Sequence, residues 1–198
     1  MTGRLTRSEA AFEDFLHAHN LPFERVAEAD TPRPDYRVTI GALSLMFEVK
    51  ELTKDASFRQ GTSSRTIGDH IRSKITQSRK QIRFGSDQGI PSIMLVYNDI
   101  DPMHMFGTEN HDFTDAMYGA RTLLMDKESL RVVDVFHGRE KSFSPTTKTY
   151  FSALGRLAPC RDQMTVTLFQ NLHAAVPLPY DALPLCFEII RYEQEKKA

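Results

Sequence analysis

Apolar positions recur along the chain with two periods, one helical and one alternating. Thr6-Arg7-Ser8-Glu9 has the form of a capping box, with Leu5 before it as a staple. Phe12, Phe15 and Leu16 follow on one helical face, and Asn20-Leu21-Pro22 should end that helix. Residues 23–27 make a weak strand-like run, broken by Thr31-Pro32-Arg33-Pro34. Stronger runs over residues 36–40 and 43–52 flank Gly41-Ala42. Residues 54–66 are polar around Gly61-Thr62-Ser63-Ser64, which predicts a loop. Ile67, Ile71, Ile75 and Ile82 recur at helical spacing, so a helix is expected over about 67–84, closed by Gly85, Gly89 and Pro91. Ile93-Met94-Leu95-Val96-Tyr97 is continuously apolar, as in a strand covered on both faces. Further on, residues 123–125, 132–136, 165–169 and 186–192 read as strands of an extended mixed sheet.

The pair of runs around Gly41 carries the chemistry. With Gly41-Ala42 as a two-residue type II′ turn, Ile40 faces Leu43, Val38 faces Leu45 and Tyr36 faces Phe47. All three pairs are apolar and share one side of the ribbon, and a slip of one residue would scramble them. On the other side Thr39 meets Ser44, Arg37 meets Met46, and Asp35 meets Glu48. Lys50 lies two residues past Glu48 and points to the same side, whereas Glu51 points away. Directly opposed side chains have Cβ atoms about 4.5–5.5 Å apart. Two carboxylates so placed repel, and they need a cation between them or a proton on one. A divalent metal with hard oxygen ligands meets the need. The alternative is a structural cluster in which Lys50 alone supplies the positive charge.

Composition narrows the class. Of 198 residues, 40% are hydrophobic and 26% charged, which is ordinary for a globular chain. No stretch is apolar for long enough to span a membrane. The first residues lead into an amphipathic pattern and not into a signal-peptide core. Two cysteines, Cys160 and Cys186, make neither a zinc cluster nor a disulfide framework, and the expected location is cytoplasmic. Net charge is −1, but it is segregated. Arg59, Arg65, Arg72, Lys74, Arg79, Lys80 and Arg83 face Asp69 alone in the same segment. Such a run attracts polyanions to one face, unless it is only a solvated helix surface.

Pro34-Asp35 followed by Glu48-Val49-Lys50 resembles the signature of the PD-(D/E)XK nuclease superfamily. The order of elements over about residues 6–98 is similar too: a helix, a three-strand meander, a helix and a further strand. Glu195-Lys196-Lys197 has the same spelling but sits in a charged tail. The resemblance implies an α/β fold with a restriction-endonuclease-like core: αβββαβ, a central mixed sheet flanked by helices, and a β-rich C-terminal elaboration. It implies one nuclease domain over residues 1–198, with 6–98 as catalytic core and 99–198 as elaboration. It implies Mg²⁺, with Mn²⁺ as substitute, bound by Asp35, Glu48 and the backbone carbonyl of Val49. Lys50 would orient the attacking water and stabilise charge on the phosphate. Glu9 on the first helix and Gln77, in preference to Gln81, correspond to accessory residues of the family. Glu9 has the competing role of closing the capping box.

The expected activity is hydrolysis of phosphodiester bonds in DNA, in preference to RNA, with Arg72, Lys74, Arg79, Lys80 and Arg83 as backbone contacts. The rival is a catalytically inactive nucleic-acid-binding or assembly module on the same fold. The C-terminal half is open to use as a homodimer or protein-partner surface in either case. His104, Glu109, His111, Asp112 and Asp115 are candidate metal ligands too, but are expected to be a polar loop insertion. The rings at Phe143, Tyr150 and Phe151 are expected to pack in the core. No glycine-rich phosphate loop and no nucleophile elbow is present.

Overall fold

The computed structural model describes residues 5–27, 29–53, 66–101 and 106–192. The elements run α1 (Arg7–Ala18), β1 (Phe23–Arg25), β2 (Tyr36–Ile40), β3 (Leu43–Leu52), α2 (Asp69–Ser86), β4 (Ser92–Asn98), α3 (Asn110–Tyr118), β5 (Arg121–Met125), β6 (Val132–His137), β7 (Ala153–Cys160), β8 (Gln163–Gln170) and β9 (Phe187–Ile190). Seven strands form one mixed sheet in the order β1-β2-β3-β4-β7-β8-β9, and β5-β6 form a separate two-stranded ribbon. Helices flank the sheet, and the β-rich C-terminal part extends it.

The expected meander is present in the expected register, from Tyr36↔Phe47 to Ile40↔Leu43. Gly41 turns it with φ 59° while Ala42 keeps an ordinary negative φ, as a II′ turn requires. Strands β3 and β4 pair in parallel through α2, and β4 pairs in parallel with β7. The capping box of α1 also forms, with Glu9 N–H on Thr6 Oγ1 at 3.2 Å and Thr6 N–H on Glu9 Oε2 at 2.7 Å.

Two apolar layers hold the sheet. On one face Phe12, Phe15 and Leu16 of α1 pack on Tyr36, Val38, Leu45, Phe47 and Val49. On the other, Ile71, Ile75 and Ile82 of α2 and Phe113 and Met117 of α3 cover Met94, Val96 and Leu154. Helix α2 lies very close to β3: a Cβ on Gly85 would stand 2.8 Å from Met46 Cγ and 2.3 Å from Ser92 Oγ. Met46, Glu48 and Lys50 alternate onto this α2 face, whereas Glu51 reaches the α1 face and accepts from Ser8 N–H at 3.2 Å.

Three features differ from the sequence reading: β5 and β6, expected in the extended mixed sheet, pair only with each other, and two further segments depart from expectation. The segment expected as a polar insertion contains α3, whose apolar stripe of Phe113, Ala116 and Met117 has the i, i+3, i+4 spacing of a buried helix face. His104 lies outside the described residues, as do residues 54–65 of the expected loop with Arg59 and Arg65. Strand β7 was not expected at all. Gly155 sits where Leu95 Cδ2 would be 2.4 Å from a Cβ, and Arg156 is turned to Thr108 O and Asn110 Oδ1. Pro159 lies past Leu157, the last β7 residue paired to β4, so its missing N–H leaves no gap on that side. These three residues erase the alternation that marks a strand. Among the described residues no helix is long and apolar enough to cross a membrane, and both cysteines are free.

Candidate active site

The site grows from the point where the β2–β3 ladder stops. Pro34 has no N–H to offer, and the ladder ends at Tyr36↔Phe47. The next N–H on that edge of β3, that of Val49, donates to Asp35 Oδ2 at 2.7 Å. A side chain thus replaces the backbone partner and is fixed by doing so. The N–H and C=O of one strand residue leave on the same edge. The Val49 carbonyl is therefore on the edge that Asp35 occupies.

Asp35 and Glu48 hold opposed positions, and Lys50 joins them from the same face. Lys50 Nζ is 2.6 Å from Glu48 Oε1. Glu48 is 1% exposed; its Oε2 meets no N–H or hydroxyl donor among the described residues, and a proton shared with Asp35 is the hydrogen bond open to it. Burial and then the charge of Asp35 push the Glu48 carboxyl up to about 8, with Lys50 pulling against them. Burial also raises Asp35, opposed by the Val49 N–H and Lys50 and reinforced by Glu9. The pair therefore keeps a proton to higher pH than isolated carboxyls would, because burial and mutual repulsion both oppose a second charge.

Helix α2 supplies the third wall. Lys74 is half-buried, and burial and then the charge of Lys50 lower its ammonium. Gln81, two turns on, is half-buried with its Oε1 unpartnered among the described residues. Arg33, beside Pro34, lies over the Phe84 ring at 5.3 Å, so this flank of α2 faces the start of β2. Among the described residues, the buried side-chain polar atoms without a hydrogen-bond partner are Ser44 Oγ, Glu48 Oε2, Ser78 Oγ and Gln81 Oε1, with Arg37 Nε held only by the Glu24 carboxylate at 3.4 Å. Arg37, Ser44 and Glu48 alternate onto the face that α2 covers. A buried carboxylate oxygen without a donor, as at Glu48, marks a place for ordered water or an ion.

The other residues singled out from the sequence are placed as follows. Glu9 Oε2 accepts from both Thr6 N–H and Thr6 Oγ1 at 2.7 Å, yet its charge still reaches Asp35. Gln77 is exposed and donates to Ser73 Oγ at 3.0 Å. Arg72 directs its guanidinium to Asp69, to Ile67 O at 2.6 Å and to Asp115 O at 3.2 Å, and so ties α2 to α3. Arg79, Lys80 and Arg83 are exposed, with Arg83 over Tyr150 and Arg79 near Lys148. Arg79 and Arg83 thus lie on the flank of α2 away from Lys50. Phe143 and Phe151 are buried, as expected, but Tyr150 is half-exposed.

A second group lies at the start of α3. Glu109, His111 and Asp112 bring one ligand atom each within 4.8 Å of one another, and such a group could hold a metal ion. A mixed α/β fold with such a group is compatible with a metal-binding, nuclease-like protein. Asp112 already serves the fold: Oδ1 accepts from Gly68 N–H at 3.1 Å and Oδ2 from Glu109 N–H at 3.1 Å. His111 Nε2 is 3.0 Å from Glu109 Oε2.

The sequence reading names Lys74 as a backbone contact and prefers Gln77 to Gln81, whereas here Lys74 is felt by Lys50 and Gln81 is the half-buried glutamine. The signal was available, since they are seven residues apart and therefore on one helix face. No family model, curated protein or solved structure matches the chain.

Proposed function

We propose that the chain is a Mg²⁺-dependent nuclease of the PD-(D/E)XK kind, acting on DNA, with its site at Asp35, Glu48 and Lys50. One observation carries this reading. Two carboxyls, Asp35 just before β2 and Glu48 in β3, act on each other beside Lys50, and burial raises both while the more buried one has no N–H or hydroxyl donor on Oε2 among the described residues. A protein stabilises such a pair only with a proton or a cation.

The donor set fits Mg²⁺: Asp35 and Glu48 offer hard oxygens, and the Val49 carbonyl lies on the same edge. When bound, the ion lowers the pKa of water and offsets charge building on a phosphate. The residues of the chain do the rest. The Val49 N–H keeps Asp35 oriented. The pair gives up its proton on loading. Lys50, whose Nζ is 2.6 Å from Glu48 Oε1, can orient water or meet the developing charge on a non-bridging phosphate oxygen. Lys74 adds a second cation beside Lys50, and its partial burial favours contact with an anion. Gln81 is better turned than Gln77 to position water in the seam.

The Glu109-His111-Asp112 group supports a competing metal position, and the test must separate the two. Purified protein is assayed on plasmid and single-stranded DNA with Mg²⁺, with Mn²⁺ and with chelator. Lys50→Ala should abolish cleavage while calorimetry still detects Mn²⁺ binding, because the lysine is not a ligand. His111→Ala should leave both unchanged. Cleavage that persists in Lys50→Ala and disappears in His111→Ala would move the site to α3. Metal binding without any cleavage in the wild type would favour the inactive nucleic-acid-binding or assembly module.

A further inference from the structure

The flank of α2 opposite the carboxylate seam meets the turn that leads into β7, and cations from both gather there. The Arg83 guanidinium lies over the Tyr150 ring at 4.7 Å. Lys148 is half-buried, and its ammonium is held below the usual range by burial and then by Arg79. Both Arg83 and Arg79 act on the Tyr150 hydroxyl. No described carboxylate appears among the groups that act on Lys148 or Tyr150.

The turn is built and not merely a connection. Ser144 and Thr147 exchange two backbone hydrogen bonds at 3.2 Å, and Thr146 N–H donates to Ser144 Oγ at 3.3 Å. Phe143 and Phe151 anchor its ends in the core, and Ala175 N–H binds Thr149 O at 2.7 Å. Lys148 holds φ +52°, a left-handed backbone that a residue with a Cβ adopts only at a cost. A partly desolvated ammonium, like charges side by side and a strained φ thus coincide at one residue. Strain of this kind persists only where the surrounding structure imposes it, here through the anchored ends of the turn.

We propose that Arg79, Arg83 and Lys148, with the exposed Thr146 and Thr147 hydroxyls, form a phosphate-binding face for the backbone of a nucleic-acid strand. This rests on the nucleic-acid reading above and extends it to a surface on the far side of α2. A phosphodiester supplies the negative charge that the cluster lacks. Tyr150 holds the guanidinium plane of Arg83 while its N–H edge stays available for phosphate oxygens. Serine- and threonine-rich turns contribute hydroxyl and backbone donors to such contacts. Because Lys74 and Gln81 face the carboxylate seam from the other flank, a strand held here is gripped away from the bond to be cut. The face governs affinity and leaves the chemical step alone.

The test measures binding of a labelled duplex by fluorescence anisotropy in EDTA over a range of KCl. The wild type is compared with Lys148→Gly, with Arg83→Ala and with the double variant. Each lost contact should flatten the slope of log K against log salt by about 0.9, so the double variant should lose about twice that. Glycine accepts the backbone of Lys148 and removes its buried charge, so Lys148→Gly should melt at or above the wild-type temperature. If Lys148→Gly melts lower, Arg79→Ala with Arg83→Ala decides by the same slope. An unchanged slope in folded multiple variants overturns the proposal. Displacement of the duplex by inorganic phosphate at matched ionic strength also overturns it, because the site would then take free phosphate and not a strand. Neither metal nor turnover enters this assay. Slopes that flatten in a protein that never cleaves DNA would leave the face standing and remove the nuclease. Cleavage with an unchanged slope would do the reverse.

Discussion

The Val49 N–H donates to Asp35 Oδ2 at 2.7 Å, so the carboxylate that opposes Glu48 is also the group that closes the β2–β3 ladder. Asp35 therefore has two duties that can be separated. Asp35→Asn keeps an acceptor for Val49 and removes the charge that repels Glu48. It should melt at or above the wild-type temperature in chelator and lose cleavage by roughly 100-fold or more. Asp35→Ala also relieves the repulsion, but it leaves a strand N–H without a partner, which costs about 1–3 kcal/mol. It should melt below Asp35→Asn. Equal melting temperatures would show that the hydrogen bond to Val49 contributes nothing.

Glu48 makes both stability and metal affinity depend on pH. Its carboxyl is raised from 4.5 to about 8 on folding, so the folded chain keeps a proton that the unfolded chain releases. The stability this group contributes is complete below pH 4.5 and is lost as pH rises through about 8. Divalent-ion binding displaces that proton, so affinity should rise about tenfold per pH unit and level off above about pH 8. Melting and calorimetry from acid to alkaline pH, with Mg²⁺ and with EDTA, check both signs. Affinity independent of pH would place the ion elsewhere.

Glu9 is in its capping box and yet is felt by Asp35. Glutamine can accept the same hydrogen bond from Thr6 N–H but carries no charge. Glu9→Gln should keep its melting temperature and reduce cleavage about 10–100-fold if its charge serves the site. Glu9→Ala should lower both. A fully active Glu9→Gln protein would confine the residue to capping.

Gly85 sets the distance between α2 and β3. An added Cβ would approach Met46 Cγ to 2.8 Å and Ser92 Oγ to 2.3 Å. Gly85→Ala should destabilise by about 1–3 kcal/mol, as overpacking does, although alanine is the better helix former. Chemical denaturation reads the change. It should also weaken cleavage, because α2 carries Lys74 and Gln81 at that spacing. A stabilised variant would show that the helix has room to move.

Residues close together in the chain determined much of the candidate site. Strand alternation and the Gly41 turn place Asp35 opposite Glu48 and Lys50 beside them, because a two-residue turn and a period of two leave one register that keeps Tyr36, Val38, Leu45 and Phe47 on one side. The capping box at Thr6 and the isoleucine spacing of α2 are local in the same sense. Tertiary structure decided the rest. Strand β7 has Gly155, Arg156 and Pro159 where a pattern should be, and it is a strand because β4 and β8 offer it partners on either side. The burial that lifts Glu48 comes from α2 lying over β3, and the same docking turns Lys74 toward Lys50 while Arg83 meets Tyr150. Tyr150 and Lys148 stand more than sixty residues from α2 in the chain. Periodicity cannot report such a meeting, because it records which side of an element is apolar and not which other element will cover it.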